Sequence, residues 1–460
     1  MGRRVVVTTV VLLAGCLTEP GKLSTPAPVI DDAAVAQVPG NALGAVVTAH
    51  LQHADSALVR FGASQGAPLD SATPAVEVEE DSAFIPVLGL LPGTAYALEV
   101  VAYGPGGAGK SERLLLTTGA LPAALPRYSA GGTSPSPGYV VFAAKGYGVA
   151  IDNTGRVVWY VRLAEPATLN FQPQPTGRYY THPIEADPRH PQSWLEINPL
   201  GRVTRTLGCA RGLAPRFHDL IALQDGSYWV MCDETRTMDL SGAGGATGAQ
   251  VTGTVAQHVS ESGALLFEWS SFDHFAITDL DSASRTVPAV NWTHGNALAL
   301  DAQDNLVISF RSLSEITKVD TRTGAVVWRM GGSRNEFTFD EAPPPFSRQH
   351  GVRLTPSGEL VLLDNLGHAG GSRGERYTVD PVSRTARMTG SYVPSVPATA
   401  SLGGTTQSLP NGHTLIAYGN GGRVEEYDAA GRVVWRIEGD AGYVFRAQRI
   451  GSLYAPGIGD

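Results

Sequence analysis

One phrase recurs along this chain and narrows what it can fold into. A polar turn ending in glycine or an equivalent is followed by a short apolar run that often carries an aromatic side chain. It reads Asp152-Asn153-Thr154-Gly155 before Val157-Val158-Trp159, and Asn198-Pro199-Leu200-Gly201 before Val203. It returns at Glu261-Ser262-Gly263 before Leu265-Leu266-Phe267, and at Thr323-Gly324 before Val326-Val327-Trp328. The last two copies are Asp380-Pro381-Val382-Ser383 and Asp428-Ala429-Ala430-Gly431 before Val433-Val434-Trp435. The turn positions 155, 201, 263, 324, 383 and 431 are 46, 62, 61, 59 and 48 residues apart. Propeller repeats of about 40–50 residues before insertions match this period, so the phrase predicts six four-stranded blades.

A second turn keeps the same period at Thr176-Gly177, Asp225-Gly226, Asp304-Asn305, Ser357-Gly358 and Asn411-Gly412. Each precedes an apolar run such as Leu360-Val361-Leu362-Leu363, and Gly or Asn there suits the positive φ of tight hairpins. The expected fold is all-β, a six-bladed β-propeller over residues 138–460. Before it, residues 27–118 alternate apolar and polar in short runs, for example Ala45-Val46-Val47-Thr48-Ala49 and Ala57-Leu58-Val59-Arg60-Phe61. That pattern predicts a small β-sandwich of fibronectin type III or Ig-like form, joined by a Pro-rich linker at 119–137.

The first residues read differently. Arg3 and Arg4 precede an apolar run that ends Leu13-Ala14-Gly15-Cys16, a positive start, a short apolar core and a small-residue site. Residues 1–16 therefore resemble a bacterial lipoprotein signal with Cys16 as the lipidated residue, and 17–26 form a tether. The expected location is the bacterial cell envelope, periplasmic or at the outer membrane, with the membrane met through the lipid anchor only. Cys209 and Cys232 then remain as an even pair in an oxidising compartment, where a disulfide and two buried thiols are equally open readings.

Net charge is -9 and the basic residues form no run beyond Arg3-Arg4, which sets nucleic acid aside as a partner. The spacing of the histidines is more informative. His218 lies eight residues before Gly226, His350 eight before Gly358, and His294 eleven before Asn305. Each therefore opens a strand leading into the same hairpin, and quasi-symmetric blades bring equivalent strand ends to one mouth. Arg311 closes the return strand after His294 and belongs at that mouth as well. A neutral imidazole is a nucleophile and base near neutrality, and a guanidinium matches a tetrahedral oxyanion. Asn296 adds an amide, and Arg348 and Arg353 add positive potential. Binding and transfer of a small oxyanion is the expected chemistry. A three-histidine metal site, with or without Asp219, is disfavoured by the fixed positive charge of Arg311, so neither metal nor cofactor is expected.

At these residues the chain resembles the bacterial arylsulfotransferase family. The likeness is carried by Asn291-Trp292-Thr293-His294-Gly295-Asn296, residues 309–316, residues 324–328 with Gly331-Gly332, Arg348-Gln349-His350-Gly351, Leu363-Asp364-Asn365 and Leu409-Pro410-Asn411-Gly412. It implies movement of a sulfuryl group from an aryl sulfate donor to a phenolic acceptor without a nucleotide. It also implies that His350 is the nucleophile, sulfated transiently. His218, His294, Asn296 and Arg311 would hold the sulfate oxygens and help protons move, and Thr405 or Thr406 would line the pocket. Rings that stack the phenols are sought among Tyr147, Phe171, Tyr179 and Tyr180. A homodimer is among the assemblies the sequence permits. The competing readings are a non-catalytic lipid-anchored propeller that binds anionic ligands or proteins, and a metal-dependent enzyme.

Overall fold

The computed structural model describes residues 25–64, 68–163, 169–183, 193–340 and 346–456. The signal segment with Cys16, and nearly all of the tether, lie outside the described residues. The described chain is built almost entirely of antiparallel sheets.

The first two sheets face each other. One joins Val29–Gln37, Gly44–Gln52 and Ser82–Leu88, and the other is centred on Ser56–Ala63 paired with Ala95–Gly104. Their alternate residues, among them Val47, Leu51, Val59, Ile85, Leu98 and Val100, share one buried apolar layer. This is how a period of two buries one face of each strand. The Tyr96 hydroxyl accepts the Leu91 N–H at 2.8 Å and fixes the corner entering its strand. Asn41 and Ala42 dock this unit on the next by bonding the carbonyl and the hydroxyl of Tyr160 at 2.9 and 2.8 Å.

Six sheets of four or five strands follow among the described residues. In each, the recurring turn joins the third and fourth strands of a four-strand path across the sheet. The turn at Asp152–Gly155 links Tyr147–Ile151 to Val157–Arg162, and the turn at Asp428–Gly431 links Val424–Tyr427 to Val433–Ile437. The aromatic of the phrase bridges sheets. Trp159 donates its indole N–H to Pro199 O at 2.7 Å, and Trp435 donates to Asn153 O at 2.9 Å, each acceptor lying in another copy of the turn. Strands such as Leu360–Asp364 are buried along their whole length, as expected when both faces of a sheet are covered by neighbours.

The innermost strands are Asn170–Gln174, Ala214–Ala222, Gly295–Leu300, His350–Leu354, Thr405–Ser408 and Ala447–Ile450. Each touches the next, and the last touches the first, so they close a ring. Two strands clasp that ring. Ala447–Ile450, from the end of the chain, pairs inside Tyr139–Ala144 of the first sheet, and Ala130–Gly132 pairs with Val433–Ile437 at the outer edge of the last. Cys209 and Cys232 are joined in a disulfide with 6.2 Å between their Cα atoms. Among the described residues no helix is long and apolar enough to cross a membrane.

Candidate active site

The inner strands run in the same sense, so their first residues gather at one end of the ring. His218 lies in Ala214–Ala222 beside a register shift, His294 immediately precedes Gly295–Leu300, and His350 opens His350–Leu354. Arg311 follows the return strand Leu306–Phe310, and its N–H donates to His294 O at 3.0 Å. Gly351 has φ +63°, and a Cβ there would lie 2.7 Å from Gly404 O and 2.8 Å from Thr405 Cγ2. No larger residue fits at that point, so glycine lets His350 seat against the neighbouring sheet.

The hydrogen bonds set the proton positions. Arg216 Nε donates to His218 Nδ1 at 3.3 Å, so His218 keeps its proton on Nε2 and gives it to His294 Nε2 at 3.2 Å. His294 Nδ1 stands 2.7 Å from Asn291 Nδ2, so the matching tautomer, with the His294 proton on Nδ1, holds only with the Asn291 amide turned to present its oxygen there. His350 differs. Its Nδ1 lies 2.8 Å from Asn365 Oδ1 and 3.2 Å from Arg348 O, both acceptors. The Asn365 amide is itself fixed, because its Nδ2 donates to Ala400 O at 2.6 Å and to Gly403 O at 2.9 Å. His350 therefore carries its proton on Nδ1 and leaves the Nε2 lone pair without a partner among the described residues.

Electrostatics keep all three imidazoles neutral. Burial, followed by Arg216 and the neighbouring histidines, holds His218 well below its usual range. Burial, then Arg216 and Arg311, pulls His294 down to about 2. Burial brings His350 to about 4, Arg311 pushing the same way while the Asn365 bond opposes it. Arg311 donates Nη2 to Ser401 O at 3.0 Å, and its buried Nε has no partner among the described residues. Burial, then Arg348, lowers its proton affinity, and the site favours an anion that would satisfy Nε.

Asn296 lies close by but spends a donor on Gln349 O at 2.6 Å, which braces the segment leading into His350. Thr405 and Thr406 open their inner strand beside Gly351, their hydroxyls bonded to Ala447 O and Leu362 O at 3.3 and 2.8 Å. With Arg353 and Arg446 they line a cavity of about 800 Å³ walled by the hairpin turns, whose lining does not include the histidines. Asp219 is held between Arg353 and Arg446 at 2.8 and 3.2 Å, so it is committed to an ion pair. The histidine trio does not form a metal-spaced group. Among the described residues Asp364, His368 and Glu375 do, with ligand atoms within 4.8 Å of one another.

The aromatic rings at the mouth are not those sought in the sequence. Phe171 and Tyr179 stack on Trp159 in an inter-sheet core, Tyr147 packs edge-on to Tyr160, and Tyr180 bonds Glu196. Phe217 stacks on His218 with ring centres 4.1 Å apart, and Phe445 stands 5.9 Å from His218 and 6.4 Å from His350. Tyr443 is 6.5 Å from Phe445 and near enough to Arg311 for the guanidinium to favour its phenolate, although burial lifts its hydroxyl to about 12. Phe217 was within reach as the neighbour of His218. Phe445 and Arg446 lead into the closing strand Ala447–Ile450, which has no hairpin after it and so escaped the period.

No curated protein matches the sequence. Solved structures with a similar trace include a protein of unknown function from Bacteroides caccae, with 13% identity, a TM-score of 0.44, and coverage of 68% of this chain and 98% of that one. A streptogramin B lyase has 13% identity, a TM-score of 0.39, and coverage of 68% and 84%. The periplasmic gluconolactonase PpgL of Pseudomonas aeruginosa has 12% identity, a TM-score of 0.38, and coverage of 76% and 94%. The family model described as Arylsulfotransferase (ASST) matches residues 215–440. That span contains His218, His294, Arg311, His350 and Asn365, and through it the chain belongs to the arylsulfotransferase family.

Proposed function

We propose that the protein is a nucleotide-independent aryl sulfotransferase working in two steps through a sulfated His350. One observation carries the reading. His350 is neutral, holds its proton on Nδ1 against Asn365, and so keeps its Nε2 lone pair, within Coulomb range of Arg311, whose buried Nε is unsatisfied among the described residues.

In the first step Nε2 attacks the sulfur of an aryl sulfate. The S–O(aryl) bond breaks, and its electron pair leaves on the aryl oxygen. On binding the anion the His218–His294 pair takes up one proton from solvent, and the departing phenolate, with a parent pKa near 10, takes that proton and leaves the pair neutral. In the second step an acceptor phenol passes its proton to the same pair and attacks sulfur. The N–S bond breaks and its electrons return to Nε2. Proton in and proton out balance over the cycle. The entering anion supports this relay, since negative charge beside the pair raises its proton affinity. Arg311 stabilises the sulfuryl oxygens, in a transfer expected to pass through a loose transition state like that of phosphoryl transfer.

The closed cycle of six sheets supports a six-bladed propeller over 138–460, with a fibronectin type III-like sandwich at 27–118 and a linker at 119–137. Lipidation at Cys16 and residence in the bacterial envelope complete the proposal, and mass spectrometry of the processed N-terminus tests them. The mechanism is tested by incubating the protein with phenyl sulfate and seeking one added sulfuryl group on the peptide containing His350. Transfer that persists in a folded His350→Ala variant refutes it. Saturable anion binding without turnover points instead to a non-catalytic binding propeller.

A further inference from the structure

Four guanidinium groups lie around the histidines, and they are not equally neutralised: Arg446, which donates to His218 O, is paired with Asp219 at 3.2 Å. Arg216 is held by both carboxylate oxygens of Asp233, at 2.6 and 2.5 Å. Arg311 has no carboxylate partner among the described residues. Among the described residues Arg348 reaches one carboxylate, Asp281 Oδ2 at 3.6 Å, and that acid is half-exposed. A loose, wet pair of this kind contributes little, so most of the positive charge of Arg348 remains available.

The position of Arg348 is specific. Its Nη1 donates to Ser312 O at 3.3 Å, which sets its guanidinium beside the segment that carries Arg311. Its own carbonyl accepts from His350 Nδ1 at 3.2 Å. Its backbone sits at φ +57°, a left-handed conformation that an arginine adopts at a cost. The residue is therefore tied to the reacting histidine at its backbone and to the Arg311 segment at its head. An aryl sulfate brings one negative charge to the reacting centre, and Arg311 is placed to meet it. A second under-neutralised cation at the same mouth exceeds that need. Beside Arg311, the rings of Tyr443 and Phe445, with Phe217 next to Phe445, offer a surface for a flat substrate.

We propose that Arg348 recognises a second anion on the substrate, so that the favoured donors and acceptors are phenols bearing a carboxylate across the ring from the phenolic oxygen. This rests on the sulfuryl-transfer reading and narrows its substrate class. A carboxylate can take two parallel N–H bonds from a guanidinium, a better partner than Asp281 at 3.6 Å.

The test compares the sulfate esters of para-hydroxyphenylpropanoate and of its amide as donors, and the free phenols as acceptors. The saturated chain insulates the ring, so the two members of each pair differ only in the remote charge. Wild-type kcat/KM should favour the acid by about ten- to a hundredfold, the range of a hydrogen-bonded charge. In Arg348→Met that ratio should fall to about one, Arg348→Lys should keep part of it, and added salt should reduce it in the wild type. A wild-type ratio near one, or a ratio unchanged in Arg348→Met, overturns the inference. If Arg348→Met does not fold, the wild-type ratio and its salt dependence still decide. Turnover of phenyl sulfate with a ratio near one leaves sulfuryl transfer standing and removes this inference alone, whereas failure to turn over any aryl sulfate removes the transfer reading itself.

Discussion

Asn365 offers the sharpest test of how His350 is prepared. Its side chain is fully buried and makes three bonds, accepting from His350 Nδ1 at 2.8 Å and donating to Ala400 O and Gly403 O at 2.6 and 2.9 Å. Asn365→Ala removes all three. Two of the stranded groups keep a weaker partner, His350 with Arg348 O at 3.2 Å and Ala400 O with the Ser372 hydroxyl at 3.3 Å. At about 1 kcal/mol net per bond, the expected loss of stability is about 2–3 kcal/mol. The expected loss of rate comes from the tautomer. Without Asn365 the proton of His350 is free to move to Nε2, which removes the nucleophilic lone pair from part of the population. Orienting partners of metal-bound histidines are worth about 10–100-fold, and the buried aspartate of a serine-protease triad about 10⁴. A neutral amide belongs at the lower end, so kcat/KM should fall about 10–100-fold, equal to about 1.4–3 kcal/mol. Aryl-sulfate transfer, denaturant unfolding, and nitrogen NMR of the imidazole measure the three quantities separately. A folded variant that transfers within twofold of wild type, or that keeps the proton on Nδ1, refutes the assignment of Asn365 as the orienting group.

Other expectations follow from the same geometry. Arg311→Met should lower kcat/KM for phenyl sulfate by a hundredfold or more, and Arg311→Lys should recover only part of it, because a lysine cannot present the planar fork; equal recovery argues against oxyanion contact. His350 has a folded pKa of about 4, below its ordinary 6.5, so the unfolded chain binds its proton first and this contribution is lost as pH falls from about 6.5 to 4. The stability advantage of wild type over His350→Asn should therefore shrink by on the order of 3 kcal/mol between pH 7 and pH 4. That paired comparison cancels Asp364, whose carboxyl burial pushes up to about 6 and which works in the opposite sense; a difference independent of pH excludes a buried neutral His350. Replacing Cys209 and Cys232 by alanine opens a loop of 23-residue separation and should cost about 3 kcal/mol in denaturant unfolding, measured against the reduced wild type as the control.

Much of the scaffold could be read before any coordinates. The recurring turn marks the hairpin between the third and fourth strands of the path across each of the six sheets, and the second turn marks the hairpin after the innermost strand in five of them. That ruler expected His218, His294 and His350 at equivalent strand starts and Arg311 at the return; His350 opens its strand, whereas His218 is the fifth residue of Ala214–Ala222, beside a register shift, and His294 immediately precedes Gly295–Leu300. The same ruler failed where the period is broken. Phe445 and Arg446 precede a lone strand supplied from the chain end. Arg446, 1% exposed, donates to His218 O and Asp219 from 228 and 227 residues away. Thr405 and Thr406 occupy an equivalent strand start, yet their hydroxyls satisfy neighbouring carbonyls. Register alone does not say which way a short side chain turns.

What the sequence by itself determined is local and periodic: where hairpins turn and which histidines share a register. Hydrogen-bond geometry and hydrophobic patterning act over a few residues, so such features can be read from neighbours along the chain. Only the tertiary structure decided the chemistry of the mouth. The proton position on His350, the neutrality of all three imidazoles and the unmet donor on Arg311 depend on groups 15 to more than 90 residues apart in sequence. Burial and Coulomb interactions act through space, and no pattern along the chain records them until the ring has closed.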